Sequence, residues 1–241
     1  MAAVRLFLLP TCLGETSPWD VLPGIYPERI GNLRVFFVED LRSARRFLRK
    51  VGFKASFEEV LFIELSEHTA DSCLENVLEK QGVDARRLAG QDMGVLSEAG
   101  LPCVADPGAL AVEWAHRKGI QVVPLSGPSS LFMALMASGF NGQNFAFSGY
   151  LPVTPKDRQN RIQELESRAL KSGQTQLFIE TPYRSQQMFE SLLASCRPST
   201  RLCVACNITL PDEFIVTKTV ADWKKAPAAL QKKNTVFLIS A

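Results

Sequence analysis

The sequence predicts an α/β protein in two parts: an N-terminal, mostly parallel sheet with helices on both faces, and a C-terminal mixed α/β sheet domain. Three observations carry this. Between residues 4 and 138 short β-type runs alternate with helix-length segments, as in a parallel sheet with crossover helices. Polar and Gly/Pro-rich stretches follow almost every one of those runs, so the loops at the carboxyl ends of the strands carry the unusual residues. Beyond residue 200, β-type runs near 201–206, 213–219 and 235–240 follow one another without a helix between them, which points to a mixed sheet. The boundary is expected at 125/126, dividing 1–125 from 126–241.

Val4 to Leu9 is a short strand closed by Pro10-Thr11-Cys12-Leu13-Gly14-Glu15. Residues 16–32 hold three prolines and two glycines, so only short helical turns fit. Leu33 to Val38 is a second strand, ending in Glu39-Asp40. The helix Leu41 to Lys50 follows, with apolar residues at 41, 44, 47 and 48 and arginines at 42, 45, 46 and 49. Val60 to Leu65 is a third strand, followed by Glu67-His68. Thr69 suits an N-cap and Gly82 a helix end. Met93 to Leu96 is a strand that runs into Ser97 to Gly108, a loop stiffened by Pro102 and Pro107. Asp106 and Pro107 are placed to open the next helix, which runs to Lys118. Ile120 to Pro124 is a strand, Ser126-Gly127-Pro128-Ser129-Ser130 a loop, and an apolar helix runs on to about Ser138. Asn141 to Asp157 reads as a long, turn-rich link. A helix near 157–171, a strand at Thr175 to Ile179 and a helix after Glu180-Thr181-Pro182-Tyr183-Arg184 complete the order.

The 241 residues are 46% hydrophobic and 22% charged, the balance of a globular protein with a real core. A net charge of +2 is too weak to indicate a nucleic-acid partner by itself. The apolar run in Met1 to Pro10 is too short to span a membrane and lacks the form of a signal peptide, so a cytoplasmic protein without membrane contact is expected. Six scattered cysteines do not form a disulfide framework.

Familiar catalytic patterns are missing. There is no P-loop, no G-x-G-x-x-G, no nucleophile elbow and no Ser-His-Asp setting. Cys203 and Cys206 form a C-x-x-C in a β-like run, where positions three apart face opposite sides. Buried thiols are expected there rather than a metal site. His116 sits late in a helix, where a cation suits the dipole; His68 follows a strand, where a site and a structural role are both open. The arginine stripe is either a phosphate-contacting face or an ordinary solvated one. Ser126 to Ser130 opens a helix, and either binds an anion at free N–H groups or simply caps them. In a parallel sheet all these post-strand loops converge at one edge, which favours a ligand site over plain turns.

These loops, in this order, resemble the tetrapyrrole methylase family, the class III S-adenosylmethionine-dependent methyltransferases. Within it the chain looks most like the ribosomal small-subunit RNA 2′-O-methyltransferase I subfamily. The resemblance rests on Leu9 to Gly14, Val38 to Arg42, Glu67-His68, Gly94 to Gly108, Pro124 to Ser130, Ser138-Gly139-Phe140, Phe147 to Pro152 and Phe178 to Arg184. It implies a two-domain class III methyltransferase architecture, with the methyl donor S-adenosylmethionine in the cleft between the domains, and a homodimer. Matched residue by residue, Pro10, Thr11, Leu13, Gly14, Ser97, Glu98, Ala99, Gly100, Asp106, Gly127, Pro128, Ser129 and Ser130 would bind the donor. Glu39, Asp40, Glu98 and His68 are the candidate bases. Arg42, Arg46, Tyr150, Glu180, Tyr183 and Arg184 are the candidate substrate contacts.

The chain also departs from the subfamily pattern. Its Thr-Pro-Ile-Gly-Asn is Thr11-Cys12-Leu13-Gly14-Glu15 here, its Glu-Asp-Thr-Arg is Glu39 to Arg42, and its Ser-Asp-Ala-Gly is Ser97 to Gly100. Its Ala-Arg-Glu-Leu-Thr-Lys is Ala205-Cys206-Asn207-Ile208-Thr209-Leu210, which removes three charges, and its late Gly-Glu-Phe is Asn234-Thr235-Val236. The resemblance therefore implies methyl transfer to RNA. Methylation of a small molecule such as a tetrapyrrole-like ring stands as an alternative, and a non-catalytic donor- or RNA-binding protein as another.

Overall fold

Short runs of Phe, Val, Leu and Ile that are buried on both sides suit the interior of a parallel sheet. The computed structural model, which describes residues 4–66 and 73–240, builds a parallel sheet from five short strands, buried throughout at its centre and partly exposed at its two edges. They are β1 (Arg5–Leu9), β2 (Val35–Val38), β3 (Leu61–Glu64), β4 (Met93–Leu96) and β5 (Gln121–Pro124). All pairings are parallel, in the order β3-β2-β4-β1-β5. Alternate side chains feed two apolar layers. Phe7, Leu9, Phe36 and Val38 pack with Tyr26 and Ile30 of α1 (Tyr26–Ile30) and Leu48 of α2 (Leu41–Lys50). Leu6, Val35, Phe37 and Val95 pack with Val77 of α3 (Leu74–Lys80) and Trp114 of α4 (Ala109–Arg117).

The second sheet takes α5 (Ser130–Ser138), β6 (Phe145–Tyr150), α6 (Pro155–Ser172), β7 (Thr175–Glu180) and α7 (Ser185–Ser195). It ends with β8 (Arg201–Cys206), β9 (Phe214–Thr219), α8 (Val220–Lys225) and β10 (Thr235–Ser240). Its order is β6-β7-β10-β8-β9, parallel only between β6 and β7. Leu165 of α6, Met188 and Phe189 of α7 and Trp223 of α8 cover one face together with Val204, Cys206 and Phe237. On the other face α5 lies against β9 and β10, where Thr217 Oγ1 donates to Ser138 O at 2.8 Å. The two compact units are Met1–Ser129 and Ser130–Ala241, so Gly127 to Ser129 stay with the first sheet.

Three sequence expectations change. The stretch 141–157 is not a link throughout, since it contains β6. Gly149 at φ 62° shifts the register between Phe147 and Tyr150, which hides the two-residue period. A helix, α8, intervenes between β9 and β10, started by Thr219 accepting from Asp222 N. Asp106 and Pro107 do not open α4, which begins at Ala109. Glu67, His68 and the expected cap Thr69 lie outside the described residues, and α3 begins at Leu74. Among the described residues no helix is long and apolar enough to cross a membrane.

Candidate functional site

β1 and β4 are neighbours, yet the chain leaves them in opposite directions across the sheet, toward β2 and toward β5. Open parallel sheets take ligands in the crevice beyond such a switch point. The loops there are drawn together closely. Thr11 N donates to Gly100 O at 2.9 Å, joining the β1 and β4 loops. Tyr26 Oη donates to Pro10 O at 2.8 Å and fixes the first of them from below. Gly100 has φ 76°, and a Cβ there would lie 2.9 Å from Leu13 Cδ2 and 3.4 Å from Pro128 O. A Cβ at Gly127 would lie 2.1 Å from Pro10 Cβ. Pro10, Leu13, Gly100, Gly127 and Pro128 are thus packed into one wall, which only glycine at 100 and 127 permits.

Thr11 Oγ1 in this wall and Asp106 Oδ2 in the loop after β4 are buried and have no hydrogen-bond partner among the described residues. Thr11 is 3% exposed. Asp106 Oδ1 is occupied, accepting from Gly108 N at 2.7 Å and Cys103 N at 2.9 Å. Burial pushes the Asp106 carboxyl above its ordinary value, opposed by those amide hydrogen bonds. Beside it, burial pushes the Cys103 thiol up to about 12, with the Asp106 charge adding to the effect. Cys103 at φ 69° and Ala105 at φ 62° are left-handed residues without glycine's freedom, so this loop stores backbone strain. Buried atoms without partners are costly in a finished protein, and a bound polar ligand would satisfy them.

Three of the candidate bases also meet here. Glu39 Oε2 accepts from Glu98 N at 3.1 Å, and Glu98 Oε1 lies 3.4 Å from Ser43 Oγ. Asp40 caps α2, accepting from Ser43 N at 2.7 Å. The Ser43 amide and hydroxyl hold its carboxyl below the usual carboxylate range. Ser43 and Tyr26 are not among the residues that the sequence patterns single out. Ser43 stands three residues after an acidic cap, which was a readable signal; nothing local marks Tyr26.

The arginine stripe of α2 divides in two. Arg49 lies 4.0 Å over the Phe57 ring, and Arg45 lies 5.2 Å over Phe62. Arg42 and Arg46 are exposed. Ser97 is buried, Glu98 and Ala99 are exposed, and Gly14 and Ser129 are half-buried. Ser130 opens α5 in the second unit. Tyr150, Glu180, Tyr183 and Arg184 lie in the second unit, at the ends of β6 and β7.

Residues 28–224 match the tetrapyrrole (corrin/porphyrin) methylase family. The chain belongs to that family. Among its methylase relatives, a ribosomal RNA small subunit methyltransferase I of Xylella fastidiosa is 31% identical over 184 residues, 76% of this chain and 62% of that protein. The chain thus spans a little under two thirds of that relative's length. Proteins of the same name from Escherichia coli O157:H7 and Pseudomonas aeruginosa are 26% and 28% identical. The matches cover 98% and 100% of this chain and 77% and 80% of those proteins. The crystal structure of the methyltransferase CobJ superposes with a TM-score of 0.58 at 18% identity, covering 100% of this chain and 94% of that one. That likeness confirms the methylase fold.

Cys203 and Cys206 are both fully buried and face opposite sides of β8. No cluster of three or more His, Cys, Asp or Glu able to hold a metal occurs among the described residues. Cys206 lies opposite Thr235 across the β8–β10 pair, with Sγ 3.3 Å from Thr235 Oγ1. The Thr235 hydroxyl donates to Lys233 O at 3.0 Å, so the thiol is the donor between the two. Burial raises the Cys206 thiol, which keeps it neutral and able to donate.

Proposed function

We propose that this chain transfers a methyl group from S-adenosylmethionine to RNA, with a ribose 2′-hydroxyl of small-subunit ribosomal RNA as acceptor. The observation that carries the proposal is the wall at the β1/β4 switch point, with Thr11 Oγ1 buried in it without a partner and Asp106 Oδ2 likewise buried in the loop after β4. Family membership gives that wall its meaning. Bound there, the donor would supply an electrophilic methyl on a sulfonium cation. Thr11 would satisfy a polar group of the donor, and the Asp106 carboxylate would favour its cationic part. Gly100 and Gly127 would let backbone approach it closely.

For the acceptor proton, Asp40 is the weakest candidate, because its cap stabilises the ionised form. Glu39, which accepts from Glu98 N, and Glu98 itself stay as the candidates. A 2′-hydroxyl is a very weak acid, so holding it in line with the methyl contributes more than basicity does. The family resemblance extends the proposal to a homodimer.

The lost charge at 206 favours neither the small-molecule reading nor the non-catalytic one. Two departures, the subfamily's Arg at 206 and its Glu at 235, fall on residues that face each other here and remain hydrogen-bonded as a neutral pair. An opposite-charge pair exchanged for a neutral pair in the same place is a matched internal change. The deciding experiment incubates the protein and labelled donor with total RNA, protein and small-molecule extracts from a strain lacking it. Label in small-subunit ribosomal RNA is expected. Label confined to the small-molecule fraction would overturn the RNA assignment, and no heat of binding with millimolar donor would overturn methyl transfer altogether.

A further inference from the structure

β6, β7 and β8 run one way and β10 runs against them, so the turns after the first three and the turn before β10 share one edge of the second sheet. Tyr183 stands on that edge and is 88% exposed. Its turn is braced from both sides. Glu180, itself buried, accepts from Thr181 N at 2.7 Å and from Arg184 Nε and Nη2 at 2.9 and 2.7 Å. Lys232 N donates to Pro182 O at 3.1 Å, and Ser185 Oγ lies 2.8 Å from the carbonyls of both Thr181 and Lys233. A large aromatic ring is thereby held in water on a fixed backbone, where its apolar area costs solvation and gains no packing.

The neighbouring turn also carries a tyrosine. Tyr150 ends β6 opposite Ile179 and is 53% exposed. The buried Arg158 pins the chain just after it, donating to Val153 O and Ser191 Oγ, both at 3.0 Å. Lys156 and Lys232 flank the two turns, exposed and in no ion pair among the described residues. The loop after β8 is strained, with Asn207 at φ 47° and the β-branched Thr209 at φ 72°. Thr209 Oγ1 is buried with no partner among the described residues. Strain of this kind persists where surroundings over-determine it, and it concentrates at ligand sites.

We propose that this edge takes a single-stranded segment of RNA, with a base stacked on Tyr183, Tyr150 offering a second ring, and Lys156 and Lys232 meeting the phosphates. Aromatic faces beside cations are the means by which proteins hold unpaired strands. A duplex stacks its bases on one another and offers no such face. The proposal rests on the RNA reading above and adds that the bound segment is unpaired.

The test is fluorescence anisotropy of the full chain with a labelled mixed-sequence RNA of about 12 nucleotides, single-stranded or annealed into a duplex. The single strand should bind more tightly. Tyr183→Ala should weaken it about 5- to 100-fold with an unchanged salt slope, whereas Tyr183→Phe stays within about twofold. Lys156→Glu with Lys232→Glu should lower the salt slope by about 1.5. Single-strand binding untouched by Tyr183→Ala, or equal affinity for the duplex, would overturn the proposal alone. No binding of either RNA by the wild-type protein would overturn the RNA reading and this proposal with it.

Discussion

Replacing Cys206 by arginine and Thr235 by glutamate, singly and together, tests whether those two departures are one matched change. Cys206 is fully buried and Thr235 is 3% exposed, and their side chains meet at 3.3 Å across paired strands. Cys206→Arg alone puts a guanidinium into this site with only a neutral hydroxyl opposite. Thr235→Glu alone puts a carboxylate against a neutral thiol. An uncompensated buried charge costs about 3–5 kcal/mol, so each single variant should lose on the order of that stability. In the double variant the charges face one another, and the cycle should return at least about 2 kcal/mol of favourable coupling. Urea unfolding of all four proteins, followed by far-ultraviolet circular dichroism, measures the cycle. If the double variant loses the sum of the single losses within about 0.5 kcal/mol, the two positions are independent and the reasoning fails. The loss of charge would then have to be explained at the substrate.

Gly127→Ala should cost about 1–3 kcal/mol and weaken donor binding at least tenfold, because the new Cβ would sit 2.1 Å from a proline ring carbon that has no rotamer to escape into. A variant with wild-type urea midpoint and donor affinity by calorimetry would show that the wall is loose. Asp106→Asn keeps the Oδ1 acceptor and removes a buried charge. Because burial raises the folded carboxyl's pKa, the unfolded chain releases that proton first, and wild-type stability falls as pH rises between the two values. The variant's stability relative to wild type should therefore increase through the carboxylate range and level off above the folded value, while donor affinity drops. Urea midpoints that show the opposite trend would contradict this. Reversing Arg42 and Arg46 to glutamate should weaken RNA binding and leave donor affinity unchanged, since neither exposed side chain belongs to the wall. Undiminished RNA methylation by that double variant would remove α2 from the substrate path.

The sequence alone determined the α/β class, the parallel first sheet and the placement of unusual residues after its strands. Those features are written in local periods, two for strands and 3.6 for helices, and in Gly, Pro and acidic punctuation that needs no distant partner. It also placed Cys203 and Cys206 on opposite faces, since alternation within one strand is local. Only the tertiary structure decided what depends on residues far apart in the chain. The order β3-β2-β4-β1-β5 makes β1 and β4 neighbours, and so joins Thr11 to Gly100 and Glu39 to Glu98. β6 was illegible because Gly149 breaks the alternation and pairing with β7 restores it. Arg45 and Arg49 looked like Arg42 and Arg46 until the aromatic rings of Phe57 and Phe62 were seen beneath them. Cys206 and Thr235 read as unrelated losses because 28 residues separate them in the chain, and only the β8–β10 register puts one against the other. Register is a non-local pairing, chosen by burial and hydrogen bonding over the whole sheet, and no short window of sequence contains it.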